Sequence, residues 1–387
     1  MNPSGNAAES ASVPPMRIVQ LSHLVWERKL FQRPQQLGTW FARLGNRVHY
    51  FALCGLRRYL NMDLTERAIA GEDGRLEALN LPFMPFAGSF GPSRALTMAL
   101  LRAKARAPLR NERAAPRLLW VQNPAYAAEI GRLPHDLLVY DVMDPFAAFR
   151  KTDPTVTEKE ARLLLKADLV FTGGRSLHRQ VLERSRTEPH CFPSGIDFPH
   201  FAKAAAEGPV PEALAKLPKP VLGYFGAVDE RIDWPLIEHL CRERRHWSIV
   251  FLGPLVLMDE IPISEPNFHW LGPKPYEALP DYLRGFDVCL IPWLVNDLTR
   301  YMSPTKTPEY LAAGRPVVST PIPDVEADYP EEVSIAATPK DFVKSCTKAL
   351  MDGNGPPRKP PQSRTWEETA REMLGLIAAK LESRSAA

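Results

Sequence analysis

The chain has 387 residues, of which 45% are hydrophobic and 24% charged, and a formal net charge of +3. That length exceeds what one core usually organises, so two domains are expected, and the composition is that of a globular protein. The slight positive balance argues against a nucleic-acid partner, and no stretch approaches the ~18 consecutive apolar residues of a membrane span, so a cytoplasmic protein is expected. Cys54, Cys191, Cys241, Cys289 and Cys346 are far apart and lack a CxxC pair. They read as reduced core thiols instead of a disulfide frame or metal site.

Residues 1–15, MNPSGNAAESASVPP, have neither a positive start nor an apolar run. They read as a disordered tail, not a signal peptide. Strands are predicted over 17–22, 47–52, 118–122, 137–141 and 169–173, with a helix over 34–44 stopped by Gly45-Asn46. Strand and helix alternating in this way argue for a parallel sheet covered on both faces. Phe192-Pro-Ser-Gly-Ile-Asp-Phe and a Pro- and Ala-rich stretch to Pro220 mark the exit from a first domain, 16–200. A second alternating set has strands over 221–226, 248–252, 268–271, 288–292 and 316–320 and a helix over 277–285, filling a domain at 201–360. Gly355-Pro-Pro-Arg-Lys-Pro-Pro precedes a last segment, 361–387, with a helix over about 366–382. Two doubly wound halves leave a cleft between them, where ligands sit at strand C-terminal ends.

The most informative stretch is SPTKTPEYLAAGRPVVST, Ser303 to Thr320. Pro308 and Glu309 fall in the first turn of a short helix and Gly314 just past its end, where their backbone preferences suit them. The amides of Thr305, Lys306 and Thr307 would then be free to hold an anion, with the helix dipole and the Lys306 ammonium assisting. A carboxylate beside a phosphate site would repel the phosphate, so Glu309 is expected to accept hydrogen bonds from sugar hydroxyls. The competing reading is a helix whose N-terminal Glu merely complements the dipole.

This segment resembles the donor-binding signature of GT-B glycosyltransferases, most closely the retaining enzymes of family four (group 1). In that signature two Glu residues are separated by seven intervening residues. The second, which binds ribose, matches Glu309, whereas the first falls on Tyr301. Weaker likenesses follow in the family's order: Glu160–Thr172, Ser194-Gly-Ile-Asp-Phe, Gly223-Tyr-Phe-Gly and Asp281–Pro292. Together they run from about Arg17 to Lys348. The resemblance implies an α/β chain of two Rossmann-like domains facing a cleft, with the last helix crossing back onto the first domain. It also implies transfer of a sugar from a nucleotide-sugar, most often a UDP-sugar, to a saccharide or polyprenol-linked acceptor. Retention, a place in exopolysaccharide or lipopolysaccharide synthesis and no obligatory metal are further implications.

Other candidates follow from position. Arg231, five residues after Gly226, stands where the resemblance implies a basic residue that neutralises the diphosphate leaving group; the alternative is a surface ion-pair loop with Asp229, Glu230 and Asp233. Asp141 and Asp144 end a predicted strand of the first domain, where a carboxylate could orient or deprotonate an acceptor hydroxyl. Asp141 is the nearer match to the family's pattern; the alternative is that Asp144 caps a turn before Pro145 and Asp141 pairs with a neighbouring base. In the loop after the first strand, Arg28, Lys29 and Arg33 would meet phosphates and Trp26 would stack on a sugar, or else the aromatic rings pack inward. Asn296, Asp297 and Thr299 precede the signature and would touch the donor sugar. Lys274 lies in the loop that in relatives contacts the nucleobase. A basic segment carrying Arg94, Arg102, Lys104, Arg106, Arg110, Arg113 and Arg117 with Leu96, Leu100 and Leu101 would form an amphipathic helix on the inner membrane face, or a solvated helix over a leucine stripe. Two rival functions share the fold: a nucleotide-sugar epimerase or phosphorylase, and a non-catalytic binding protein, for which Tyr301 is the best support.

Overall fold

Strand β6 (Leu137–Val142) is buried at all six positions. A continuous apolar strand of this kind needs cover on both faces. A computed structural model, describing residues 15–27, 31–85, 91–110, 115–150, 152–360 and 363–385, supplies it. The strands β1 (Arg17–Ser22), β2 (Arg47–Cys54), β3 (Ala68–Gly71), β4 (Leu76–Pro82), β5 (Arg117–Val121), β6, β7 (Leu169–Thr172) and β8 (His190–Cys191) form one sheet in the order β3-β4-β2-β1-β5-β6-β7-β8. All pairs are parallel except β3 with β4. That edge hairpin was not among the expected strands, although its turn, Glu72-Asp73-Gly74 at positive φ, carries an Asp-Gly hairpin signal.

A second sheet holds β9 (Val221–Phe225), β10 (Ser248–Leu252), β11 (Phe268–Trp270), β12 (Val288–Ile291), β13 (Val317–Ser319) and β14 (Val333–Ile335). It is parallel throughout, in the order β11-β10-β9-β12-β13-β14. One apolar cluster packs this sheet, and two others pack the opposite faces of the first. The helix Trp366–Ser385 returns to the first sheet, burying Trp366, Ala370, Met373, Leu374 and Ile377 with Leu37 and Phe41 of the helix Arg33–Arg43. Each fully buried side chain of that size contributes roughly 1.5–3 kcal/mol. The expected doubly wound halves and returning helix are therefore present.

The halves also touch directly. Asp324 accepts hydrogen bonds from the Ser176 amide and hydroxyl at 2.9 and 2.6 Å, so a carboxylate of the second half caps the helix Arg175–Leu182 of the first. Arg175 pairs with Asp328, and Arg150 with Glu230 at 3.1 Å. These contacts set the strand C-terminal ends of the two sheets against each other.

The basic segment forms the helix Gly91–Arg110, which buries Thr97, Leu101, Ala105 and Leu109. Its arginines do not make one free basic face. Arg102 holds Glu129 with two bonds of 2.6 and 2.9 Å, and Arg106 donates to the Arg132 carbonyl at 2.7 Å. Leu96, expected on an apolar stripe, is exposed. Arg113 and residues 1–14 lie outside the described residues. Among the described residues no helix is long and apolar enough to cross a membrane.

Candidate functional site

A cleft of about 1100 Å³, open mouth included, lies where the two sets of strand ends meet. Its second-domain wall begins with two glycines. Gly226 follows β9 at φ +137° and Gly253 follows β10 at φ +142°, and a Cβ on Gly253 would stand 1.8 Å from the Gly226 carbonyl oxygen. Only glycine fits such backbone angles and such a contact, so the floor here is bare main chain. The helix Lys306–Ala312 rises beside it and ends at Gly314 with φ +68°. Tyr310, fully buried, accepts from the Phe225 amide at 3.0 Å and fixes that helix to the end of β9.

Two cations converge here. The Lys306 ammonium lies 4.6 Å from the centre of the Trp293 ring and 5.2 Å from that of Tyr224. The Arg231 guanidinium lies 4.9 Å from the same Trp293 ring. Arg231 is not free: its Nε donates to Asp229 at 2.8 Å and its Nη2 binds the same carboxylate. It is thus an ion-pair loop and a cleft wall at once. Burial, then the charge of Arg231, pushes the Lys306 pKa down; burial likewise pushes the Glu309 carboxyl up, and the two side chains titrate as a pair. An arriving anion would favour the charged lysine.

Gly226, Arg231, Lys274, Thr305, Lys306 and Glu309 all line the cleft. Thr307 does not: it is fully buried, and its amide donates to the Pro304 carbonyl at 3.2 Å, so this amide is not available to an anion. The Lys274 ammonium stands 5.5 Å from the Tyr282 ring centre. Asn296, Asp297 and Thr299 are off the cleft as well. Asn296 Oδ1 accepts from the amides of Leu298 and Thr299 at 3.0 and 3.1 Å, closing a turn. Asp297 is exposed and pairs with Arg300, while Thr299 is buried and bonds the Leu294 carbonyl. Tyr301 packs against an apolar cluster of the first domain, and it is the following Met302 and Ser303 that face the cleft.

The first-domain wall differs most from expectation. Asp141 is completely buried and does not reach the cleft. Its carboxylate takes Arg33 Nη2 at 2.7 Å, Arg33 Nε at 3.2 Å and Gln122 Nε2 at 3.0 Å. Asp141 lies inside β6, so its side chain enters the layer beneath the helix Arg33–Arg43. Arg33 borders the cleft, but its charge is matched by Asp141 and its Nη1 donates to the Phe192 carbonyl at 2.6 Å. Trp26 is buried against Phe31 and Tyr50 at ring-centre distances of 5.7 and 4.9 Å, as core and not as a sugar platform. Arg28 and Lys29 lie outside the described residues.

Asp144, two residues beyond the end of β6, does face the cleft. Burial pushes its carboxyl up to about 6, against a lowering influence of Arg231 and a raising one of Asp229. His23, at the end of β1, brings Nε2 to 4.0 Å from Asp144 Oδ2. Burial holds His23 neutral, with its pKa lowered to about 4. Sequence reasoning missed His23, Gly253, Trp293 and Tyr276, which stacks on His200 at 4.6 Å. The available signal was position: His23 and Gly253 each follow a strand's C-terminal end.

Residues 219–352 match the family model described as Glycosyl transferases group 1. A curated relative, the putative teichuronic acid biosynthesis glycosyltransferase TuaH of Bacillus subtilis (strain 168), is 26% identical over 253 residues, covering 60% of this chain and 63% of TuaH. The match thus spans a little under two thirds of that relative's length. Among solved structures, a sucrose-phosphate synthase from Thermosynechococcus elongatus superposes with a TM-score of 0.64 at 16% identity, over 96% of this chain and 98% of that one. Anabaena HepE in complex with UDP and glucose gives 0.61 at 13% identity, over 95% and 100%. A trehalose-6-phosphate structure from E. coli bound with UDP-2-fluoro glucose gives 0.61 at 14%, over 94% and 96%. At these identities the likeness is one of fold: two facing Rossmann-like domains, the GT-B arrangement.

Proposed function

We propose, from the match of residues 219–352 to the Glycosyl transferases group 1 model and from the GT-B fold, that this protein is a nucleotide-sugar-dependent glycosyltransferase. The observation that carries the reading is the pairing of Lys306 and Arg231 over one Trp293 ring, beside the bare Gly226–Gly253 floor. Main chain, an ammonium and a guanidinium at one point suit a diphosphate. Glu309, on the same helix as Lys306, then accepts hydrogen bonds from the ribose, and the Lys274 loop receives the base.

As the bond from the anomeric carbon to the β-phosphate oxygen breaks, its electron pair moves onto the diphosphate. Lys306 and Arg231 stabilise that growing charge in a site with little water. The acceptor hydroxyl forms the new bond to the anomeric carbon. Asp144, not Asp141, orients that hydroxyl and receives its proton. Retention at the anomeric carbon, a UDP-sugar as donor and a saccharide or polyprenol-linked saccharide as acceptor are the specific forms proposed. TuaH's description supports polysaccharide assembly. No metal is required in this scheme, because the two cations take the role of one. Work at the cytoplasmic membrane face, with the protein peripheral, would bring it to a lipid-linked acceptor.

Release of nucleoside diphosphate from UDP-, GDP-, ADP- and dTDP-sugars, with polyprenol-linked saccharides and EDTA present, tests the reading. Turnover of one donor supports it. Binding without turnover of any would favour the non-catalytic alternative, for which the packing of half-buried Tyr301 against the first-domain apolar cluster is the specific observation.

A further inference from the structure

His23 is held more firmly than a loop residue needs to be. The Tyr126 hydroxyl donates to the Ser22 carbonyl at 2.8 Å, the Tyr50 hydroxyl donates to the Leu24 carbonyl, and the Leu24 amide donates to Ser22 Oγ at 3.2 Å. The backbone on both sides of His23 is therefore anchored by buried tyrosines. The ring is fixed as well: Phe146 meets it edge to face at 5.2 Å and 90°. Phe146 follows Asp144 by two residues, so one short segment supplies both the wedge and the carboxylate. His23 Nδ1 is buried without a hydrogen-bond partner among the described residues, while Nε2 points toward Asp144 at 4.0 Å. Packing alone would be served better by an apolar ring, because a buried unpaired nitrogen is costly.

The neutral imidazole has one proton for two nitrogens. With a carboxylate facing Nε2 and nothing facing Nδ1, the favoured tautomer carries the proton on Nε2. The other ionised groups that act on Asp144 are Arg231 and Asp229, both from the second domain and paired with each other. His23 is thus the polar neighbour of Asp144 that belongs to the same domain and keeps its place whatever the second domain does.

We propose that His23 is the positioning residue of Asp144, a neutral imidazole that donates from Nε2 to the carboxylate receiving the acceptor's proton. The proposal rests on the reading of Asp144 given above. The two atoms stand 4.0 Å apart, and catalytic hydrogen bonds of this kind often tighten only in the productive complex. Its effect is to fix which carboxylate oxygen faces the acceptor and to favour the ionised form, which can take a proton. Asp144 thereby keeps its charge in a half-buried setting that opposes it.

The test uses full-length protein labelled with 13C at aspartate carboxyls, the Asp144 resonance being identified by its absence from Asp144→Asn. Its titration is followed in wild type, His23→Phe and His23→Gln, with UDP absent and then at saturating concentration, and thermal melting checks each fold. His23→Phe is expected to lower the ionised fraction of Asp144 at pH 6 by about threefold or more, the loss of one weak hydrogen bond. His23→Gln, which keeps a neutral donor, is expected to restore much of it. Superimposable titrations in wild type and His23→Phe overturn the proposal, and should that variant not fold, a lowered ionised fraction in His23→Gln equal to that of His23→Asn does the same. Failure of the Asp144 reading itself looks different: Asp144→Asn would then release diphosphate from the donor sugar at the wild-type rate.

Discussion

The two walls of the cleft are built on different principles. The second-domain wall is local: Lys306 and Glu309 share one seven-residue helix, and Gly226 and Arg231 share one loop. The first-domain wall is assembled from afar, with His23 and Asp144 on separate strand ends and the buried Arg33–Asp141 pair joining residues 108 apart. On the first wall, charge and function have separated. Its best-bonded carboxylate, Asp141, is buried away from the cleft, and its poorly bonded one, Asp144, faces the cleft.

That contrast can be broken by substitution. Asp144→Asn is expected to lower turnover by about 10²–10⁴-fold, the usual range for a lost proton acceptor, with donor affinity nearly unchanged. It should also stabilise the free protein. The Asp144 carboxyl titrates at about 6 when folded against an ordinary 3.8, so folding disfavours its ionised form. That cost is absent below about 3.8, grows as pH rises through the interval and is complete above about 6. Asp144→Asn should therefore melt higher at pH 7.5, by roughly 1–3 kcal/mol, and no higher at pH 3.5. A gain at acid pH and none at neutral pH would reverse the assignment.

Asp141→Asn should do the opposite. Leaving Arg33 buried without its partner costs about 3–5 kcal/mol of stability, read by urea unfolding, while nucleotide affinity in the folded fraction is unchanged. Lys306→Met removes a buried cation and one charge-assisted contact to the diphosphate. Nucleoside diphosphate affinity should fall by roughly 10- to 100-fold, and the free protein should melt no lower than wild type. Asp297→Ala, on an exposed pair, should alter stability by less than about 1 kcal/mol and leave donor affinity alone; a donor effect would return that loop to the site.

How far the sequence could be read follows the same division. Pro308, Glu309 and Gly314 mark a helix through preferences acting within one turn, so the helix of the second-domain wall was legible. Asp141 and Asp144 differ only in lying inside or beyond the end of β6. Asp141 is the nearer match to the family's pattern, but the strand runs on to Val142, which leaves Asp141 inside it and Asp144 at the cleft. Trp26 and Arg33 were read as loop residues because their partners, Tyr50 and Asp141, are distant in sequence. Asn296 and Asp297 looked like ligands through proximity to the signature, but short polar side chains also close turns, and Asn296 does so here.

The central claim is that the second-domain wall holds a nucleoside diphosphate, with Glu309 on its ribose. Calorimetric titration of UDP, GDP, ADP and dTDP into wild type and Glu309→Ala tests it most directly. The account predicts that one nucleotide binds at micromolar strength and weakens by about tenfold or more in the variant, through the loss of hydrogen bonds to a carboxylate. Binding of none of them, or equal binding by both proteins, would contradict it.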